Sequence, residues 1–365
     1  MAIRGRSLFA ILLIVCVMPV LGGPNRWTEG GPPRTACRPG VVNCSEITSI
    51  ALDPFDDSVL YVTMLSGLYG QYGLWRTGDG GATWSRIRFP NDDDPSAQAQ
   101  AISVSKTNSN TLYLLTRTAL YRSADAGNSW SASTIVNYYW STALVVDAVN
   151  DKTLFVSREN FCLFGSCVGG GVQRSDDSGK SWRSMGLDKK TVSAIFEDPS
   201  DRSALYAIVE GRIFQTTNRG SSWKDVTPSG APEASMVAVD PLNRSTLYAM
   251  TGTYFNPHLG IFKSFDRGAS WRLLEDEQFE DGGQNVIAVD PFAGAHLVAS
   301  TGHGKVLQST DGGDSWSPLT ALDHPMTPLQ IVIGRTGKTF HAAFSNGYLL
   351  HYSIVQPRRR AVGGR

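Results

Sequence analysis

Carboxylates at fixed intervals are the residues of this chain best placed to do chemistry. Five aspartates, Asp79, Asp125, Asp177, Asp266 and Asp311, recur in one pattern, Ser/Thr-x-Asp-x-Gly-x-Ser/Thr-Trp, and Asn218 takes the same place in a further copy. The copies end at Trp84, Trp130, Trp182, Trp223, Trp271 and Trp316. Other carboxylates come in runs, Asp92-Asp93-Asp94, Glu275-Asp276-Glu277 and Glu280-Asp281. A pair of carboxyl groups could cleave a glycosidic bond, and clustered carboxylate oxygens suit calcium. An aspartate repeated once per repeat supplies no unique acid–base pair, and the acidic runs read as solvated loop charge. The repeated aspartates read instead as turn formers, accepting backbone N–H groups as Asx-turns do. Asn218 keeps an accepting amide oxygen, so its turn should survive.

The remaining reactive side chains are scattered. The histidines, His258, His296, His303, His324, His341 and His351, show no metal-ligand spacing. No metal or cofactor is expected, and neither a Ser-His-Asp nor a Cys-His nucleophile can be picked out. Cys37 and Cys44 are close in sequence, as are Cys162 and Cys167, and read as two local disulfides. A zinc site is the rival reading, but these spacings are wider than the tight pairs zinc favours.

The elements that must position these residues are strands. Successive pattern tryptophans lie 46, 52, 41, 48 and 45 residues apart, room for about four strands of five to six residues with their turns. Around the first copy the segments 47–53, 58–64, 72–77 and 82–89 alternate apolar and polar residues between turn formers. A repeat near this length signals a propeller. A seventh unit lacks the pattern: residues 329–334, 338–344 and 348–354 supply three strands, and residues 25–30 near the N-terminus supply the fourth. The expected fold is all-β, a seven-bladed β-propeller of four-stranded antiparallel blades. Pairing the N-terminal strand with the last blade closes the ring and removes sheet edges. Six blades with irregular terminal strands is the alternative.

The six patterns resemble those of the BNR or Asp-box repeat β-propeller superfamily, which has a sialidase-like fold. The resemblance covers nearly the whole chain after its N-terminal segment. The inner-strand phrases ALDPFDDSVLYV, VAVDPLNRSTLYAM and IAVDPFAGAHLVAS resemble the xyloglucanase and photosystem II stability/assembly factor branches more than the sialidases. Sialidases resemble one another in an Arg-Ile-Pro element that is missing here; Arg212-Ile213-Phe214 is the nearest string. The xyloglucanase resemblance implies two propellers clasping a glycan, and this chain has one.

Residues 1–22 have a basic start, a short apolar run and small residues near a cut site, which reads as a signal peptide. Cys16 opens a lipoprotein alternative, weakened by Val15 before it. Residues 23–356 form the single propeller domain and residues 357–365 a basic tail. The mature protein is expected to be secreted or periplasmic, monomeric, and without a transmembrane segment after signal removal. With 33 basic and 33 acidic residues it carries no net charge, which argues against a nucleic-acid partner.

The expected function is non-catalytic binding of a protein or glycan partner through the loop face opposite the repeated aspartates. Glycoside hydrolysis of a polysaccharide is the alternative. The candidate contacts are Tyr69, Tyr72, Tyr138, Tyr139, Trp140, Tyr254, Phe255, His258 and His303. Aromatic rings on loops stack on sugars or anchor protein partners.

Overall fold

A computed structural model describes residues 27–32, 46–65, 73–94, 97–117, 119–133, 141–163, 166–231, 233–253, 256–274, 286–301, 305–319, 328–344 and 349–353. Seven antiparallel four-stranded sheets follow one another as blades. Strand β1 (Trp27–Glu29) belongs to the last of them. Blade 1 holds β2 (Glu46–Leu52), β3 (Leu60–Leu65), β4 (Gly73–Thr77) and β5 (Ser85–Ile87). Blade 2 holds β6 (Ala99–Val104), β7 (Leu112–Thr116), β8 (Leu120–Ser123) and β9 (Ser131–Ser133). Blade 3 holds β10 (Ser141–Val146), β11 (Leu154–Leu163), β12 (Ser166–Ser175) and β13 (Arg183–Ser184). Blade 4 holds β14 (Val192–Glu197), β15 (Leu205–Val209), β16 (Arg212–Thr216) and β17 (Lys224–Asp225).

Blade 5 holds β18 (Ala234–Val239), β19 (Leu247–Thr253), β20 (Asn256–Ser264) and β21 (Arg272–Leu274). Blade 6 holds β22 (Ile287–Asp290), β23 (Ala293–Ser300), β24 (Val306–Ser309) and β25 (Ser317–Pro318). Blade 7 holds β26 (Pro328–Ile333), β27 (Thr339–Phe344) and β28 (Leu349–Ser353), and β1 pairs with β28 to complete it. The seven-bladed reading therefore holds over the six-bladed one, and the N-terminal strand closes the ring.

Each blade is amphipathic on both faces because each packs between two others. Tyr61, Leu74 and Phe89 of blade 1 meet Ile102, Leu112, Leu114 and Tyr121 of blade 2. Burying one such side chain contributes about 1.5–3 kcal/mol. Six of the innermost strands carry a register shift near their start, for example between Ile47 and Ser49 or Val192 and Ala194. One extra residue there sharpens the local twist where the blades converge on the axis.

Two hairpins run longer than the rest: β11–β12 and β19–β20 continue their pairing outward, with Asn160 opposite Gly169 and Thr253 opposite Asn256. Continued pairing satisfies backbone groups that a loop would leave to solvent. Two sequence readings need correction. The acidic run at 92–94 is not simply solvated charge: Asp92 is buried and accepts from Arg88 at 3.2 Å, with Arg86 3.3 Å away. Nor are all the histidines scattered, since His341 and His351 stand directly opposite on β27 and β28.

Candidate functional site

In a blade of this topology the turns joining strands one–two and three–four emerge on the same face. Two kinds of aspartate turn therefore share that face, and they work differently. In the three–four turns the carboxylate is on the outside and spends its oxygens locally. Asp79 Oδ1 accepts from the Thr83 N–H at 2.8 Å and the Thr77 hydroxyl at 2.7 Å, while Oδ2 accepts from the Thr83 hydroxyl at 2.6 Å. The bond thus runs forward, to the residue four places on. The Thr77 oxygen also accepts the Gly81 N–H at 3.0 Å. Gly81 has φ +99°, and the residue before it is left-handed as well, even where it is Ala126, Ser178, Arg219 or Arg267. Three bonds per aspartate hold this costly backbone in place.

These bonds hold the carboxyls of Asp79, Asp125 and Asp177 down to about 2, led by the hydroxyls of Thr83, Ser129 and Ser181. In the fourth copy Asn218 Oδ1 accepts from the Ser222 N–H at 2.9 Å, and its Nδ2 donates to the Ser222 hydroxyl at 2.8 Å. The serine hydroxyl changes from donor to acceptor and the turn is kept. Several pattern tryptophans tie blades together through the indole N–H. Trp223 donates to Met185 O and Trp271 to Val226 O, each at 2.7 Å, and Trp84 donates to Gly30 O at 2.6 Å. The described tryptophans are half-buried.

In the one–two turns the carboxylate is buried and an apolar side chain is displayed. Asp53 Oδ1 accepts the Phe55 N–H at 2.8 Å and, from the next blade, the Ser109 hydroxyl at 2.7 Å. Asp147 accepts from Val149 at 3.0 Å, Asp240 from Leu242 at 2.8 Å and Asp290 from Phe292 at 2.8 Å. Each bond fixes an Asx-turn whose third residue points outward. Phe55, Val149, Leu242 and Phe292 are consequently 53%, 55%, 64% and 63% exposed. These apolar side chains stand one to a turn on blades 1, 3, 5 and 6 of one face.

The turns also carry cations. Lys106, Lys152, Arg202, Arg244, Arg335 and Lys338 are exposed around the same rim. Arg202 reaches the buried Asp147 at 3.3 Å, and Arg335 donates its backbone N–H to Asp57 at 2.8 Å. Between blades 3 and 4, Glu197 Oε1 accepts the Ala148 N–H at 3.0 Å. Burial pushes the Glu197 carboxyl up to about 7, against that hydrogen bond and with help from Asp147. Of the described carboxyls it is the one suited to hold a proton near neutral pH.

Tyr69, Tyr72, Tyr138, Tyr139, Trp140, Tyr254, Phe255 and His303 lie outside the described residues, as do Cys37, Cys44 and residues 275–285. His258 falls within β20. Cys162 is disulfide-bonded, and Cys167 faces it in the register of β11 and β12. Among the described residues no three or more His, Cys, Asp or Glu side chains converge as metal ligands, and no helix is long and apolar enough to cross a membrane. The apolar ring escaped sequence reading although its signal was present. Phe55, Leu242 and Phe292 each follow an Asp-Pro pair, but the pair marks a turn without showing which way the next side chain points.

A family model described as sortilin, neurotensin receptor 3, matches residues 170–278. A xyloglucanase of Hypocrea jecorina is 24% identical over 75% of this chain, which spans only 33% of that relative. The chloroplastic photosystem II stability/assembly factor HCF136 of Arabidopsis thaliana is 21% identical over 76% of this chain and 70% of its own length. Among solved structures, YCF48 bound to D1 peptide superposes with a TM-score of 0.68 at 17% identity, covering 93% of this chain and 99% of that one. The GH74 xyloglucanase from Xanthomonas campestris gives 0.68 at 18% identity, over 92% of this chain and 55% of that one. Xyloglucanases and a photosystem assembly factor thus share one fold with this chain, which is a seven-bladed β-propeller.

Proposed function

We propose that this chain is a secreted, non-catalytic propeller that binds a protein partner through the face carrying its one–two turns. The ring of Phe55, Val149, Leu242 and Phe292 carries the reading. Four outward apolar side chains held by buried carboxylates are preorganised, so little entropy is lost when they are covered. A solved relative, YCF48, is bound to a D1 peptide in its structure, which supports a protein ligand over a glycan. Residues 1–22 are taken as the export signal, residues 23–356 as the domain and 357–365 as its tail. Cys162–Cys167 is taken as a disulfide pinning the tip of the β11–β12 hairpin.

Selection from a displayed random-peptide library tests the reading. It should enrich apolar sequences that lose at least tenfold in affinity to F55S/L242S/F292S and nothing to Y138S/Y139S/W140S. The reverse pattern returns the site to the opposite face. Hydrolysis of a polysaccharide is the second reading, favoured by the xyloglucanase relatives and by Glu197, a carboxyl protonated near neutral pH. Turnover of xyloglucan by the purified chain, abolished in Glu197→Gln, would establish it and sink the non-catalytic one.

A further inference from the structure

At matching register positions the second and third strands of the blades carry a side-chain pair aimed at the next blade. The pairs are Tyr61–Arg76, Tyr113–Arg122, Phe155–Arg174, Tyr206–Gln215, Tyr248–Lys263 and Val298–Gln308. The cations lie over the rings at 5.9, 6.0, 5.5 and 5.4 Å in blades 1, 2, 3 and 5. The pair buttresses the following turn: Lys263 donates to Gly312 O at 2.7 Å, and Tyr113 to Asp151 O at 2.6 Å. Tyrosine, arginine and lysine side chains ordinarily keep one charge state between pH 5 and 8, whereas histidine does not.

Blade 7 breaks the rule. Its pair is His341–His351, buried at the seam where β1 closes the ring. The two Nδ1 atoms are 2.5 Å apart, and His351 Nε2 lies 2.9 Å from Gly30 O, the carbonyl that also accepts from Trp84. Gly30 and Gly81 leave His351 the space a Cβ would occupy.

These contacts admit one neutral arrangement. A carbonyl only accepts, so His351 carries its proton on Nε2 and presents a lone pair at Nδ1. His341 must then donate from Nδ1, leaving Nε2 unprotonated and, among the described residues, without a partner. A further proton has no good place. On His351 Nδ1 it would confront the proton of His341, and on His341 Nε2 it would be a buried charge with no acceptor.

Among the described residues no acidic group compensates. The ionisable side chains described on the packed elements are Glu29 on β1, Asp53, Asp56 and Asp57 in the β2–β3 turn, Arg76 on β4, Asp79 in the β4–β5 turn and Arg86 on β5. Asp57 is occupied by Arg335, Asp79 by Thr77 and Thr83, and Arg76 faces Tyr61. None of them bonds to either imidazole among the described residues. Burial, then the neighbouring ring, holds His341 well below the ordinary imidazole range, and burial lowers His351 against the Gly30 carbonyl.

We propose that the His341–His351 pair is an acid-sensitive latch: neutral, it seals β1 into blade 7, and protonation at mildly acidic pH releases β1 and opens the ring. The sign follows from linkage. Both folded-state values lie below that of the released chain, so the opened state binds more protons. Closure is full above about pH 6.5 and weakens below it, by up to about tenfold in the closed-to-open ratio per histidine per pH unit.

Hydrogen exchange of the full chain between pH 7.5 and 4.5, expressed as protection factors, tests this. Amides of Thr28–Gly30 should lose tenfold or more in protection per unit below pH 6.5, while those of β15 hold steady. H341F/H351Q, which installs side chains used at this position in blades 3, 4 and 6, should keep β1 protected throughout. The latch is overturned if wild-type β1 protection is flat, if β1 and β15 fall together, or if the folded variant keeps the pH dependence. Should that variant fail to fold, NMR titration of the wild-type imidazoles decides: both titrating near 6.5 with β1 still protected also overturns it.

Discussion

The two aspartate turns on one face of this propeller use the same side chain for opposite purposes. In the three–four turns Asp79 and its equivalents are exposed or half-buried, and Asp79 bonds within its own turn. In the one–two turns Asp53, Asp147, Asp240 and Asp290 are buried, and Asp53 and Asp147 also hold side chains from the following blade, Ser109 and Arg202. The first design makes six interchangeable turns. The second makes a rigid rim and leaves the residue two places on, in four blades, as an outward apolar side chain. Recurrence in sequence marks the turn that is structural; the variable residue beside the buried carboxylate marks the surface that can recognise something.

The comparison breaks first on stability. Asp53→Ala orphans the Phe55 N–H and the Ser109 hydroxyl in a buried setting, so about 2–3 kcal/mol should be lost on denaturant unfolding. Trp271→Ala, which removes a half-buried ring and its bond to Val226 O, should cost a similar 2–3 kcal/mol. Asp177→Ala should cost about 1 kcal/mol, because its bonds sit at the solvent edge. If Asp177→Ala proves as costly as Asp53→Ala, the two turns do not differ as described.

Legibility in the sequence followed the same division. Six tryptophans at near-even spacing established the blades, and the strand-like run around Trp27 named the strand that closes the ring. What stayed hidden depends on contacts across the fold. His341 and His351 are ten residues apart in sequence and meet only because β27 and β28 pair in that register. Asp92 reads as loop charge until Arg86 and Arg88 enclose it. Phe55 and Phe292 follow Asp-Pro turns, and nothing local says that a buried carboxylate turns their side chains out.

Acid should separate the six equivalent turns by a smaller margin. Asp79, Asp125 and Asp177 have carboxyls lowered to about 2 in the folded chain, against about 3.9 when unfolded. A lowered carboxyl contributes stability that is present above pH 4 and lost as pH falls towards 2. Asn218 has no such proton to take up. Asn218→Asp should therefore leave stability near neutral pH almost unchanged and steepen its loss between pH 4 and 2. Asp177→Asn should flatten that loss, since an amide there can repeat the Asn218–Ser222 bonds. Urea midpoints of the two variants and wild type at pH 6, 4 and 2.5 would measure this. Parallel profiles for all three would mean that solvent already screens these exposed carboxylates, and that the turns are held by their backbone and hydroxyl bonds alone.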